Sequence, residues 1–178
     1  MIDEAEQTQP AGPARISRLD PARIDEVAPL WRQLHRHHLG IATPVEDLMP
    51  PLTPEDSWPV RRARYVDWLA SPDGFALVAE HDGEPVGYAM ARVVDDTPGS
   101  WTRGARIGIL ESLAILPGRR GAGTGTRLLE AVRDELRARG IRDLELAVIA
   151  GNEDALRFYR RHGLVPFATI MVGSTDPR

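Results

Sequence analysis

The sequence predicts a mixed α/β fold, with an antiparallel meander first, a parallel crossover later and helices on both faces of the sheet. Three observations carry that expectation. Phe75–His81 and Glu84–Val94 are strand-like runs joined by Asp82-Gly83, a pair suited to a type I′ hairpin turn. Arg106–Leu116 is almost continuously apolar, as a central strand covered on both faces would be. From Gly125 onward, helical and extended patterns alternate, which sets helices between successive strands.

Ahead of the hairpin, residues 1–13 read as a disordered leader, and a single domain is expected over 14–178. Ala14–Leu19 is a candidate first strand. Asp20-Pro21 joins an N-cap to a proline at the first helical position, and Ile24, Val27, Leu30, Trp31, Leu34 and His38 follow at helical spacing. Pro29 lies inside that pattern, so a kink or a restart is expected there. Ala42–Pro59 is proline-rich and reads as a loop, and Val60–Ala70 as a second helix with Ala63, Val66 and Leu69 facing inward. A polar loop, Asp95–Gly104, follows the hairpin. Gly125–Arg139 is amphipathic, with Leu128, Leu129, Val132 and Leu136 on one side and Gly140 as its stop. Asp143–Ala150 is a further strand. Asn152 caps a helix that carries Glu153 and Asp154 in its first turn and ends at Gly163. Val165–Val172 reads as the last strand.

Composition narrows the chemistry. At 178 residues and 42% hydrophobic, the chain is long and apolar enough to bury a core. Its 22 basic residues against 26 acidic ones give a net charge of −4, without the basic excess that nucleic acid demands. The absence of cysteine excludes a disulfide framework, a thiolate metal site and a cysteine nucleophile. All 22 basic side chains are arginine, so a Walker-type phosphate loop and a lysine Schiff base are excluded as well. No apolar run approaches the roughly 20 residues that span a bilayer, and the polar start is unlike a signal peptide, so a cytoplasmic protein with no membrane partner is expected.

The most informative stretch is Leu110–Leu129, LESLAILPGRRGAGTGTRLL. A buried strand leads through Pro117-Gly118 and two arginines into alternating glycines that open directly into a helix. Gly121, Gly123 and Gly125 let the backbone turn tightly and leave its N–H groups unshielded. Such donors at the positive end of a helix suit a pyrophosphate, and Arg119 and Arg120 add charge beside it. A plain glycine-rich connector and a dinucleotide fingerprint are the competing readings. Glu145 lies 20 positions past Gly125 (145 − 125), near the distance of a ribose-binding acid. The spacing G-x-G-x-G and the meander upstream fit that fingerprint poorly.

Arg120-Gly121-Ala122-Gly123-Thr124-Gly125, preceded by Leu113-Ala114-Ile115-Leu116-Pro117, resembles the central motif of the GNAT superfamily of acetyl-CoA-dependent N-acetyltransferases. Pro85-Val86-Gly87-Tyr88 resembles that family's third strand. Asn152-x-x-Ala155-x-x-x-Tyr159 followed by Gly163-Leu164 resembles its final motif, with leucine where phenylalanine is usual. The resemblance covers roughly Phe75 to Phe167. It implies that the strand matching Arg106–Leu116 splays from the one matching Asp143–Ala150 and admits the pantetheine arm of acetyl-CoA, a co-substrate. Leu113, Ala114 and Ile115 would then offer backbone contacts to that arm. Arg119, Arg120, Gly121, Ala122, Gly123, Thr124, Gly125 and Thr126 would hold the pyrophosphate. Asn152 would touch the cofactor or brace the gap, or serve only as a helix cap.

The same resemblance implies two catalytic side chains. A protonated amine cannot attack a thioester, so a proton must leave it. Glu111 stands where many family members place a base, and a glutamate inside an apolar strand needs a partner or a purpose. The alternative is a structural glutamate tied to an arginine. Tyr159 matches a tyrosine aimed at the thioester sulfur, against core packing beside Phe158 as its alternative. The implied reaction is direct attack by a small-molecule primary amine in a ternary complex, with no metal. A non-catalytic acyl-CoA sensor and a protein or peptide N-acetyltransferase remain open, and a homodimer is common in the family.

Other features carry less. His35, His37 and His38 invite a metal reading, but neighbours on a helix do not face one another, and no HExxH pattern supports it. They are better suited to a helix C-terminus or to the acceptor pocket. Arg61, Arg62 and Arg64 read as a solvated face. Trp31, Trp58 and Trp68 read as core, and Trp101 lies in the loop before the cofactor strand.

Overall fold

The hairpin forms as its turn residues require. In a computed structural model, which describes residues 12–42, 45–96 and 99–175, Asp82 (φ 52°) and Gly83 (φ 83°) both adopt the left-handed conformation. They join β2 (Gly74–His81) to β3 (Glu84–Asp95). β1 (Arg15–Arg18) adds to β2, and β4 (Arg106–Ile115) to β3, all antiparallel. β5 (Asp143–Leu146) returns parallel to β4, completing a five-stranded sheet in sequence order. The expected leader lies outside the described residues except for Gly12 and Pro13.

Alternation along β2 sends Phe75, Leu77 and Ala79 to one core and Ala76 and Val78 to the other. The first core is closed by α3 (Thr124–Ala138), whose Leu128, Leu129 and Val132 are fully buried, and by Phe158 and Tyr159 of α4 (Glu153–Arg161). The second is closed by a 3₁₀ turn (Pro21–Val27), α1 (Ala28–Leu39) and α2 (Pro54–Ala70). Asp20 caps the 3₁₀ turn, and the chain restarts as α1 with Pro29 in its first turn, where no N–H is needed.

Four expectations change. α2 begins at Pro54, not Val60, because Thr53 caps it and accepts from the Asp56 N–H at 3.1 Å; Pro59 sits within the helix. Its inward face is Trp58, Tyr65, Trp68 and Leu69, whereas Ala63 and Val66 are exposed. Finally, no strand forms over Val165–Val172; residues 164–174 have no regular secondary structure, and Val165, Ile170 and Met171 are each more than four-fifths exposed. The expected strand Asp143–Ala150 also stops at Leu146.

Candidate active site

The early stop of β5 opens the sheet. Pairing runs from Ile107 opposite Asp143 to Leu110 opposite Leu146, while β4 continues to Ile115. On its other side β4 stays paired with β3 through one irregularity: Ser112 opposes Met90, Leu110 opposes Ala91, and Glu111 is the extra residue of a bulge. The Leu116 N–H donates to the Val86 carbonyl at 2.9 Å. Alternation from that bond turns the backbones of Ala114 and Ser112 toward β3 and those of Leu113 and Ile115 toward the open edge. Leu113 and Ile115 therefore stand where an extended ligand could pair. Ala114 does not.

A buried hydrogen-bond chain holds the bulge. The hydroxyls of Tyr88 and Tyr65 lie 3.0 Å apart, Tyr65 donates to Ser112 Oγ at 2.7 Å, and Ser112 donates to the Glu111 carbonyl at 2.8 Å. That carbonyl, left over by the bulge, is thereby satisfied. Burial raises both phenols above their ordinary value. The Glu111 carboxylate meets Arg92 Nε at 2.6 Å, and the Arg92 guanidinium lies over the Trp68 ring at 5.1 Å. The pairing with an arginine that sequence reasoning left open is thus present.

Past Ile115 a 3₁₀ turn (Pro117–Arg119) leads to Gly121 (φ 82°) and Gly123 (φ 74°). Both need the left-handed region, and a Cβ at either would meet nothing within 4 Å. Gly123 is the N-cap of α3 and supplies no side-chain cap. The first helical bond runs from the Arg127 N–H to the Gly123 carbonyl at 3.0 Å. Among the described residues, the amides from Gly121 through Ala122, Gly123, Thr124 and Gly125 to Thr126 meet no acceptor. Exposed Arg119 and Arg120 flank them with no carboxylate partner among the described residues, and Arg120 Nε donates to the Ile115 carbonyl at 3.4 Å. Unclaimed donors, an open cradle and flanking guanidiniums fit a pyrophosphate.

α4 closes this end. Asn152 is buried, and its Oδ1 accepts from the Ala155 N–H at 3.1 Å, the helix-cap role. A Cβ at Gly125 would stand 3.6 Å from the Phe158 ring and 3.8 Å from Ile115, so α4, α3 and the end of β4 converge here. The Tyr159 phenol is pushed up to about 12 by burial. His162, which the sequence did not single out, lies 3.0 Å from Thr126 Oγ1 through Nε2 and 2.8 Å from the Phe158 carbonyl through Nδ1. It ties the end of α4 to the start of α3. No hydrogen bond joins Glu111 to Tyr159 among the described residues.

A cavity of about 340 Å³ lies between α1, residues 45–52 and α2, and reaches Ile149, three positions beyond β5. His35 and His38 line it; His35 Nε2 donates to the Leu52 carbonyl at 2.8 Å. Burial, helped by His37, His35 and Arg61, pushes His38 down to about 4, so its imidazole is neutral at pH 7. The expected solvated arginine face divides: Arg62 pairs with Asp25 at 2.7 Å, but Arg61 and Arg64 line the cavity. Trp101 is 68% exposed and lies edge-on to Phe167, with ring centroids 5.7 Å apart.

A sheet that parts beside a bulged strand and runs into a glycine turn at a helix start is the arrangement of a GNAT-type fold. The family model for Acetyltransferase (GNAT) family matches residues 42–164, and the chain belongs to that family. Mycothiol acetyltransferase of Frankia alni is 39% identical over 106 residues, covering 58% of this chain and 31% of the relative. The chain thus spans about a third of the length of that protein. A tetramutant of the BH1408 protein of Bacillus halodurans shares the fold at TM-score 0.71 and 23% identity, over 90% of this chain and 99% of that one. Aminoglycoside N-acetyltransferase AAC(6')-Iy in complex with CoA does so at TM-score 0.69 and 15% identity, over 96% and 99%. Among the described residues, no helix is long and apolar enough to cross a membrane.

Proposed function

We propose that the protein transfers the acetyl group of acetyl-CoA to the primary amine of a small molecule, by direct attack with both substrates bound. The observation that carries this reading is the open β4 edge at Leu113 and Ile115 running into six unclaimed amides at the start of α3. A relative named for mycothiol acetylation and a fold neighbour holding CoA support a small acceptor and that co-substrate.

In this reading Leu113 and Ile115 pair with the pantetheine arm, and the amides from Gly121 to Thr126, with Arg119 and Arg120, take the pyrophosphate. The thioester is then held beside the gap between β4 and β5, which raises the effective concentration of the reacting groups. Glu111 orients the incoming ammonium and takes its proton, directly or through a water, with Arg92 fixing the carboxylate. Tyr159 stays protonated because its phenol titrates only near 12. It therefore donates a hydrogen bond to the sulfur as negative charge develops there. A thiolate whose ordinary value is about 8.5 is too weak a base to take that proton outright, so the excess proton leaves through solvent.

The test is thiol release from acetyl-CoA across a panel of primary amines, with acetyl-CoA binding followed by calorimetry. Amine-dependent release and an N-acetylated product are expected. Binding without release on any amine would make the protein an acyl-CoA sensor.

A further inference from the structure

The cavity is charged in one sense only. Arg61 and Arg64 are three residues apart on α2 and so share a helix face. The Arg61 guanidinium lies over the Trp31 ring, 4.2 Å from its centroid. Neither arginine forms an ion pair among the described residues, although Arg62 between them is held by Asp25 at 2.7 Å and nearby Arg36 by Glu55 at 3.2 Å. The chain has 26 acidic residues and a net charge of −4, yet no aspartate or glutamate is among the described residues lining this cavity. The remaining wall is apolar, with Val45, Met49, Leu52, Val60 and Ile149. His38 is neutral there, and Arg61 and Arg64 are the permanently charged side chains of the lining.

Arg64 is exposed and Arg61 half-buried over Trp31, and among the described residues neither guanidinium has a carboxylate to give up before it pairs with an anionic ligand group. A polyamine would bring further positive charge against both, which is unfavourable. We propose that the acceptor is an amine with an apolar body that also carries an anionic group, held by Arg61 and Arg64. A carboxylate matches the two-armed geometry, and a phosphate or phosphonate shares the chemistry. This rests on the acetyltransferase reading above, with the amine directed past Ile149 toward the gap beyond β5.

The test uses matched acceptors on two bodies: phenylalanine and leucine, their amides, their decarboxylated amines and their aminophosphonic analogues. The expected result is a kcat/KM for at least one acidic acceptor about ten- to a hundredfold above its neutral partners, carried mainly in KM. Arg64→Gln and Arg61→Gln should each narrow that ratio by about tenfold or more, with thermal unfolding showing that the variants fold. The better acidic arm identifies the anion. Neutral amines turned over as well as the acids, or better, would overturn the proposal while leaving the acetyltransferase reading intact. Thiol release from none of them nor from a polyamine would overturn the acetyltransferase reading instead. Calorimetry in the presence of CoA then decides this proposal separately: N-acetylphenylalanine binding no tighter than N-acetylphenethylamine refutes it, and tighter binding lost in Arg64→Gln upholds it.

Discussion

The glycine turn and the arginine-lined cavity, proposed for the co-substrate and the acceptor, offer opposite means of recognition. The turn uses main chain: consecutive residues, Gly121 to Thr126, present amides whose directions are set by two left-handed glycines and the first turn of α3. The cavity uses side chains, drawn from α1, residues 45–52, α2 and Ile149. A main-chain site depends on conformation and tolerates many side chains, which suits a ligand that never changes. A side-chain site can be rebuilt one residue at a time without disturbing the sheet, which suits an acceptor that differs from relative to relative. The bulge at Glu111 lies between the two means, since a backbone irregularity there aims a side chain.

The largest effect is expected from the residues proposed for the chemistry itself. Glu111→Gln and Tyr159→Phe should each lower turnover by about 10²–10⁴-fold while acetyl-CoA still binds. Steady-state thiol release with calorimetric CoA binding checks both halves, and turnover within threefold of the parent chain removes that residue from the mechanism. With Tyr159 titrating only near 12, the parent rate should show no fall from phenol ionisation near pH 10.

Next comes the turn. Gly123 sits at φ 74°, and a β-branched residue there is strained by about 1–2 kcal/mol or displaces the amides it should present. Gly123→Val should weaken CoA binding about tenfold or more, since every 1.4 kcal/mol is a factor of ten. If CoA binds Gly123→Val as tightly as the parent, main-chain recognition at the turn is wrong.

The same division explains what the sequence revealed. The glycine turn, the Asp82-Gly83 hairpin and the Asn152 cap were legible because each is a local conformational demand written in adjacent residues. The cavity was not, because its walls come from segments separated by more than a hundred positions, from Trp31 to Ile149. α2 was misread at its start because Pro59 suggested a loop, although Thr53 already capped a helix from Pro54. Its inward face was misread because small and aliphatic residues at 63 and 66 fit the helical period as well as Trp58 and Tyr65 do, and only tertiary packing chose the aromatics. Val165–Val172 has the composition of a strand, but composition names no partner edge, and that segment is unpaired.

A smaller, pH-dependent effect isolates the cavity. His38 is held down near 4 when folded against an ordinary value of 6.5. The unfolded chain therefore binds more protons between those values, and stability should be full above pH 6.5 and decline as pH falls toward 4. The arginine-paired carboxylates, Glu26, Glu80 and Glu135, are also held below their ordinary value, so they too lose stabilisation on acidification, but only from about 4.5 downward. His38→Gln should flatten the unfolding temperature between pH 6.5 and 4.5 and leave the steeper loss below it. A parent chain equally stable at pH 6.5 and 4.5 would contradict the burial assigned to His38.

The smallest effect tests whether turn and cavity are energetically separate. Thr53 Oγ1 accepts from the Asp56 N–H and donates to Asp56 Oδ2 at 2.8 Å, fixing the start of the helix that carries Arg61 and Arg64. Thr53→Ala removes one cap and should cost about 1 kcal/mol of stability, read from urea unfolding. Loosening α2 should also raise KM for the acceptor by a small factor, because the helix start adjoins Pro51 and Leu52 of the cavity lip. The amides of the glycine turn belong to α3 on the opposite face of the sheet, so CoA affinity should not follow. Equal loss of CoA and acceptor affinity in Thr53→Ala would mean that the two faces of the sheet respond as one unit.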